Sequence, residues 1–224
     1  MKMVSNSAME LLQKGNWIIQ EVKRLAPHGS GNNHRDHPDP AAACDTSFRT
    51  NAVLDHTNSM VKSKTNQIVP NDWNRPMRRA AYVIAFGAGN CQDLAALAYC
   101  YCRDSFSEHA NLKFVVNRSF GHAYVIVKLG EDEIVVDPWP LHAQAVMIGD
   151  HFCGADYSEV QKQGTGIALA LAAGTKASRV QEATSRSSKL YWTPKSSYQC
   201  TRQYIHESCS KSGWITYSSA DSAD

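Results

Sequence analysis

The chain has 224 residues, 43% of them apolar, and a net charge of +2 from 23 basic and 21 acidic residues. This length and composition suit one domain that can bury a sizeable core without a metal or a disulfide. The balanced charge gives no electrostatic basis for binding nucleic acid, and no run of about 18 apolar residues predicts a membrane span. We expect a monomer, and the N-terminal stretch lacks the unbroken apolar core of a secretory signal.

Helical spacing of apolar residues predicts a first helix over residues 8–25. A second helix is predicted within residues 41–63. Asn74 and Pro76 suit the N-cap and the first turn of a third helix that reaches about Phe86. The N-terminal part of the chain, residues 1–74, is therefore predicted to be helical.

The loop at residues 27–40 is rich in Gly, Asn, Asp and Pro and carries three histidines, at positions 28, 34 and 37. A transition-metal site is one interpretation, but histidines in a polar loop without a firm fourth ligand are more typical of solvated side chains. Cys100 and Cys102, with His109, lack the spacing of a zinc site. We predict no metal and no cofactor.

The chain has seven cysteines, an odd number that leaves at least one thiol unpaired: Cys44, Cys91, Cys100, Cys102, Cys153, Cys200 and Cys209. It has no CxxC pair of the zinc-ribbon or thioredoxin type. We expect the thiols to be mostly reduced, as in a cytosol. A bridge between Cys200 and Cys209 is the alternative for that pair.

From Cys91 to about Arg103 the chain carries a helical stripe of apolar residues: Leu94, Leu97, Ala98 and Tyr101. Strand patterns follow at residues 112–118, 121–129 and 133–139. These elements form the predicted core, residues 75–140, of a single α+β domain in which the Cys91 helix packs on a short antiparallel sheet. The pattern is weaker in the C-terminal part, residues 141–224, where residues 164–185 form either a helix or a covering loop.

Cys91 lies where a glycine-rich turn becomes a helix. Asn90 is a preferred N-cap residue, and Asp93 completes the pattern of a capping box. The free N–H groups and the positive dipole end of a first turn favour a thiolate and can bind an oxyanion. We interpret Cys91 as a surface-facing nucleophile, with Gly87 and Gly89 allowing backbone and substrate to approach closely.

A cysteine nucleophile needs a base, and the base needs an orienting group. His122 opens one predicted strand and Asp137 closes the next, with a tight turn around Gly130 between them. A two- or four-residue loop centred between Leu129 and Gly130 would place His122 and Asp137 opposite each other on one face. A loop shifted by one residue would make them diagonal neighbours.

Each of these residues also has a simpler interpretation. Cys91 alone could be an inert thiol, His122 a satisfied strand histidine, and Asp137 a turn former before Pro138. The three occur together: Cys91 at the start of a predicted helix, then His122 and Asp137 on two adjacent predicted strands. That co-occurrence favours a Cys-His-Asp triad.

The sequences "GNC" at a helix start, "GHAYVIV" and "IVVDPW" resemble the transglutaminase-like branch of the papain-like cysteine enzymes. Within it they are similar to bacterial toxin and type III effector domains, such as the C-terminal deamidase domain of the Pasteurella multocida toxin. The resemblance covers residues 87–140, about a quarter of the chain. It implies a papain-like core with Cys91 as the nucleophile, His122 as the general base and acid, and Asp137 as the group that orients the histidine.

Members of this group deamidate a glutamine of a host protein, cross-link proteins or cut peptide bonds. The resemblance implies a glutamine deamidase of a host protein, secreted by a bacterium without a cleaved signal peptide and acting in the host cytosol. Protease and transglutaminase remain alternatives, because all three share the acyl-enzyme. Papain-type enzymes also carry an oxyanion-hole glutamine shortly before the cysteine, which "YVIAFGAGN" lacks; Asn90 and residues 71–74 are the substitutes considered.

A non-enzymatic alternative is an inactive homologue that acts as a protein-binding module. Its contact surface would be the aromatic residues of the C-terminal part: Tyr191, Trp192, Tyr198, Tyr204 and Trp214. Aromatic residues are more often part of an ordinary core. A cysteine that reacts unusually fast would distinguish the enzyme from the module.

Overall fold

A computed structural model describes residues 1–31, 45–54, 75–117, 120–140, 142–153, 159–161 and 215–220. The elements in chain order are β1 (Lys2–Val4), α1 (Asn6–Leu25), α2 (residues 45–54), α3 (Arg75–Phe86), α4 (Cys91–Ser105), β2 (Asn111–Asn117), β3 (His122–Leu129), β4 (Asp132–Val136), β5 (Val146–Met147), β6 (Glu159–Gln161) and β7 (Tyr217–Ser219). A short 3-10 turn, Ile148–Asp150, follows β5. Helices packed on an antiparallel sheet confirm the predicted α+β class.

The N-terminal helices agree with the sequence pattern wherever they are described. Helix α1 begins after Ser5, whose hydroxyl accepts a hydrogen bond from the Ala8 N–H at 3.0 Å. Helix α2 lies inside the predicted range 41–63, and α3 ends at Phe86 as expected. The proposed cap residue Asn74 lies outside the described residues.

The main sheet has the strand order β5-β4-β3-β2-β6, and every pair of neighbours is antiparallel. One face packs against α1 and α4, and α3 packs on α4 from the other side. The opposite face carries a second apolar cluster: Val115, Tyr124, Ile126, Val135, Val146 and Cys153. Strand β3 is central and therefore buried on both faces, which explains its nearly continuous run of apolar residues.

Helix α4 is buried on almost every side, whereas the sequence predicted one apolar stripe. Asp93 and all residues from Leu94 to Cys102 are buried, because the helix lies between the sheet, α1 and α3. Cys100 and Cys102 have no exposed surface and pack in the core.

The hairpin between β3 and β4 fixes the register of the predicted site residues. Leu129 pairs with Asp132, so the loop consists of Gly130 and Glu131. Gly130 has a φ of +60°, a conformation that a tight hairpin turn requires and that glycine adopts at little cost. The centre of the hairpin lies one residue later than the symmetrical prediction.

This register decides how His122 and Asp137 face each other. Val125 pairs with Val136, so the next position outward places Asp137 beside Tyr124 rather than beside His122. The prediction of directly opposed residues is therefore wrong, and the one-residue shift makes them diagonal neighbours. Side chains two apart on a strand share a face, and long side chains reach across such a diagonal.

The two ends of the described chain meet in a small parallel pair, β1 with β7. The Tyr217 hydroxyl donates to Asp150 Oδ2 at 2.8 Å and accepts from the Met147 N–H at 3.1 Å, which joins this pair to the segment after β5. Among the described helices, none is both long enough and apolar enough to cross a membrane. Several predictions concern residues outside the described part of the chain: Cys44, Cys200, Cys209, residues 164–185 and the C-terminal aromatic residues.

Replacing Asp93 should destabilise the fold strongly. Its buried carboxylate caps α4 and pairs with Arg79, so Asp93→Ala leaves a largely buried guanidinium without its partner. Loss of one member of a buried pair costs about 3–5 kcal/mol. Urea unfolding measures the loss, with Asp104→Ala on the exposed side of the same helix as the control, expected within about 0.5 kcal/mol of wild type. Equal stability of the two variants would contradict this role for Asp93.

Candidate active site

The start of α4 is fixed by a complete capping box, as the sequence predicted. Asn90 Oδ1 accepts hydrogen bonds from the N–H groups of Gln92 at 2.9 Å and Asp93 at 3.1 Å. Asp93 Oδ2 accepts one from the Asn90 N–H at 3.1 Å, and Arg79 pairs with the other oxygen of the same carboxylate. Cys91 is consequently the first residue of the helix.

Gly89 serves this cap. A Cβ atom at Gly89 would lie 2.8 Å from the Asp93 Cβ, closer than real side chains approach. Its N–H donates to the Gly29 carbonyl at 3.2 Å, and the Gly31 N–H donates to the Gly89 carbonyl at 3.3 Å. The space beside Gly89, which the sequence pattern assigns to a substrate, is occupied by the protein's own Asp93 and by the segment around Gly29.

The cap also occupies most of the backbone N–H groups in the first turn of α4. Asn90 Oδ1 occupies the N–H groups of Gln92 and Asp93, and the Leu94 N–H donates to the Asn90 carbonyl at 3.0 Å. The Cys91 N–H has no hydrogen-bond partner within the described part of the chain. It is thus the donor that the first turn leaves for an oxyanion, fewer than the sequence pattern indicated. The Asn90 side chain is committed to capping, and residues 71–74 lie outside the described residues.

Cys91 is more buried than predicted. Its exposed fraction is 8%, so the expectation of a surface-facing residue is wrong, although Cys153 at 4% and Cys100 and Cys102 at 0% are still less exposed. The thiol is 3.9 Å from the Gly121 carbonyl oxygen. Against the effect of its burial, the His122 side chain and the Ala123 N–H lower the pKa of this thiol. The start of α4 therefore abuts the start of β3, where the predicted base lies.

His122 and Asp137 form a direct contact in the protein interior. His122 Nε2 lies 2.7 Å from Asp137 Oδ2, and both side chains are buried. The imidazole is enclosed by the rings of Trp139, with centroids 5.1 Å apart, and Phe152, at 5.2 Å. Because Nε2 faces the carboxylate, Nδ1 is the ring nitrogen that remains for a second partner. The three residues predicted from sequence are thus brought together.

Asp137 makes a second, local contact of the kind that the turn interpretation predicts. Its Oδ1 accepts a hydrogen bond from the Trp139 N–H at 3.1 Å, the local contact by which an aspartate stabilises the turn that follows it. One oxygen thus holds the backbone after β4, while the other contacts His122. The structural and the orienting interpretations apply to different oxygens of one side chain.

The charges of the three residues support one another. Burial disfavours a Cys91 thiolate, but the hydrogen bond and charge of His122 and the Ala123 N–H outweigh it and lower the Cys91 pKa. Burial also opposes an imidazolium, yet Asp137 and Cys91 raise the His122 pKa to about 10. The Asp137 pKa is lowered, because the two neighbouring histidines outweigh the effect of its burial. Each shift favours the charged form of its group: a thiolate, an imidazolium and a carboxylate.

A second histidine, which no sequence pattern predicts, lies at this carboxylate. His151 Nε2 lies 3.2 Å from Asp137 Oδ2, the same oxygen that contacts His122. The His151 ring is buried against Tyr124, with centroids 4.5 Å apart, and Phe152, at 4.4 Å. It follows a short 3-10 turn in the part of the chain where apolar periodicity is weak. Sequence spacing therefore offered no signal that could have found it.

The group of His122, Asp137 and His151 has the residue types of a metal site, and their ligand atoms lie within 4.8 Å of one another. Tetrahedral zinc with bonds of about 2.0–2.1 Å holds its ligand atoms roughly 3.3 Å apart. The 2.7 Å between His122 Nε2 and Asp137 Oδ2 is shorter and matches a charge-assisted hydrogen bond. As placed, these residues do not fit a tetrahedral zinc ion. In the histidine-rich loop, His28 Nδ1 lies 3.3 Å from Asp45, and positions 34 and 37 are outside the described residues.

Comparisons of the chain with protein-family profiles, with curated proteins and with solved structures found no match in any of the three. The chemistry available to the site follows from its contacts. A thiol at a helix start, an imidazole and a carboxylate lie in series in a buried environment: His122 contacts Asp137 directly and lowers the Cys91 pKa. Such a series can generate a nucleophile and move its proton.

Cys91 should react with iodoacetamide faster than the other described cysteines. Its pKa is lowered, whereas burial raises the Cys100 pKa to about 12 and also raises the Cys102 pKa. At pH 6.5 we expect Cys91 to be modified at least about tenfold faster than Cys100 or Cys102, because the thiolate is the reactive form. Peptide mass mapping over time measures each rate. His122→Ala should slow the reaction of Cys91 alone, and equal rates for the three thiols would contradict the assignment.

The contribution of Asp137 to stability should depend on pH. A carboxyl whose folded pKa is lowered stabilises the fold above about pH 4, and an imidazole whose folded pKa is raised stabilises it fully below about pH 6.5 and less as the pH approaches 10. Asp137→Asn should therefore cost most between about pH 4 and 6.5, on the order of 3–5 kcal/mol. Urea unfolding across this range measures the cost. A constant difference from pH 5 to pH 9.5 would contradict the ion pair.

Proposed function

We propose that the protein is a cysteine-dependent amidohydrolase with Cys91 as the nucleophile, His122 as the general base and acid, and Asp137 as the residue that orients His122. The observation that carries the proposal is the buried 2.7 Å contact between His122 Nε2 and Asp137 Oδ2, beside a Cys91 thiol whose pKa His122 lowers against the effect of burial. A structural histidine needs no nucleophile beside it, and an inert thiol has no imidazolium to lower its pKa.

The first half of the reaction forms an acyl-enzyme. The Cys91 thiolate attacks the carbonyl carbon of a carboxamide, and the C=O bonding pair moves to oxygen. The Cys91 N–H is placed to donate to that oxyanion. As the tetrahedral species collapses, the C–N bond breaks, the His122 imidazolium gives its proton to the departing nitrogen, and ammonia leaves a thioester.

The second half releases the acid. Neutral His122 accepts a proton from water as the water oxygen attacks the thioester carbonyl. The new tetrahedral species collapses with loss of the Cys91 thiolate, and His122 is again an imidazolium. The net change is a carboxamide plus water giving a carboxylic acid plus ammonia, which leave as carboxylate and ammonium near neutral pH. Asp137 keeps the imidazole in the orientation that serves both proton transfers and stabilises its charged form.

The proposed substrate is a glutamine side chain of a host protein, with the protein acting as a bacterial effector. This part of the proposal comes from the resemblance of residues 87–140 to transglutaminase-like toxin and effector domains. The same resemblance is the basis for proposing a papain-like core. A helix that starts at the nucleophile and packs on an antiparallel sheet carrying the base and the carboxylate is consistent with such a core. Protease and transglutaminase differ only in the leaving group and the acceptor.

Mass spectrometry separates these activities. The protein is incubated with glutamine-containing protein and peptide panels, and the products are weighed intact. Deamidation adds about 1 Da for each glutamine converted, with one equivalent of ammonia released and an oxygen incorporated from labelled water. Fragments would indicate proteolysis, and incorporation of an added primary amine would indicate cross-linking.

Cys91→Ala should abolish whichever activity is found. Cys102→Ala is the matched control, because it removes a buried thiol of the same helix far from the site and should cost only about 1–2 kcal/mol of stability. Both variants are compared with wild type in turnover and thermal unfolding. Retained turnover in a folded Cys91→Ala variant would disprove the mechanism. A panel on which wild type is inactive and Cys91 reacts no faster than Cys102 would favour a protein-binding module.

A further inference from the structure

We propose that His151 is a positioning residue that acts through Asp137, limiting how strongly the carboxylate holds the proton of His122. The inference rests on the proposed function, which supplies the need to move that proton. Its basis is geometric: His122 Nε2 and His151 Nε2 approach the same oxygen, Asp137 Oδ2, at 2.7 Å and 3.2 Å.

The protonation state of His151 follows from its surroundings. A carboxylate only accepts hydrogen bonds, so the proton of His151 is on Nε2. Nδ1 is buried and has no hydrogen-bond partner within the described ranges. A proton there would be an unsatisfied buried donor, which costs free energy. Burial, followed by the charge of His122, lowers the His151 pKa, in agreement with a neutral ring that donates through Nε2.

His151 is not needed to fix the Asp137 side chain. Oδ1 is already held by the Trp139 N–H at 3.1 Å, and Oδ2 by His122. His151, the second donor on Oδ2, instead withdraws charge from the oxygen that contacts His122. Hydrogen bonds to a carboxylate stabilise its charged form and weaken its attraction for another proton. The neutral His151 thus weakens the ion pair between Asp137 and His122 and adds no charge of its own.

This effect matters because an imidazolium that holds its proton too tightly is a poor general acid. General acid–base catalysis works best when the pKa of the group lies near the operating pH. The other titratable groups around the site are Cys91 from α4, Tyr124 from β3 and Lys23 from α1, whose Nζ donates to the Pro140 carbonyl at 2.9 Å. Of the described neighbours of Asp137, His151 is the neutral side chain that donates directly to Oδ2.

Two variants test the inference through the pH dependence of Cys91 alkylation. His151→Phe keeps a ring against Tyr124 and Phe152 but removes the donor, whereas His151→Gln keeps an N–H donor at a similar reach. Without the donor, Asp137 stabilises the imidazolium more strongly, so the midpoint for thiolate formation should fall by at least about 0.5 pH unit. His151→Gln should restore the wild-type midpoint. Unchanged or raised midpoints in His151→Phe, or failure of His151→Gln to restore them, would overturn the inference.

A second measurement uses the unsubstituted protein, so its outcome does not depend on whether a variant folds. Nitrogen-15 NMR of labelled histidines should show His151 neutral and protonated on Nε2 from pH 7 to 8, and a charged or Nδ1-protonated ring would overturn the inference. Failure of the proposed function looks different. Cys91 alkylation would then ignore His122→Ala, while the His151 tautomer would still be as stated. If only the His151 inference fails, Cys91 remains dependent on His122 and the His151→Phe profile overlays the wild-type profile.

Discussion

The buried carboxylate of Asp93 is the constraint on which the candidate site depends. It closes the capping box with Asn90 and pairs with Arg79 in the interior of the protein. A charge taken out of water is tolerated only where hydrogen bonds and an opposite charge compensate it. Both compensations are available only if the helix begins at Cys91 and the preceding turn passes close to Asp93 at Gly89. The first residue of α4, and with it the identity of the residue at the dipole end, is therefore set by packing rather than by the thiol.

A second buried carboxylate, Asp137, organises the other side of the site in the same way. It satisfies its lone pairs with one backbone N–H and two imidazoles. A buried acid with this many donors stays ionised, which supplies the negative charge that an imidazolium beside Cys91 requires. Asp93 thus fixes the position of Cys91, and Asp137 fixes the position and favours the charged form of His122.

Local features of this arrangement were predictable from the sequence, and features that depend on tertiary contacts were not. The capping box uses residues three apart, so Asn90 and Asp93 reveal it directly. The hairpin was found, but its centre was one residue off, because the loop length depends on which pairs close the turn. The burial of Cys91 was missed because it comes from elements packed around the whole helix. His151 was missed because nothing in the local pattern indicates that its chain segment returns to Asp137.

The same reasoning explains why the first-turn donors differ from the sequence-based expectation. A strong N-cap and an open oxyanion site compete for the same N–H groups, since each donor has one hydrogen to give. Here Asn90 takes two of them, and the N–H of Cys91 itself is left. A helix start that is well capped for stability therefore has fewer free N–H groups to donate to an anion. Any further stabilisation of a developing oxyanion must come from groups outside the first turn, whereas the thiolate draws its stabilisation from His122 and the Ala123 N–H.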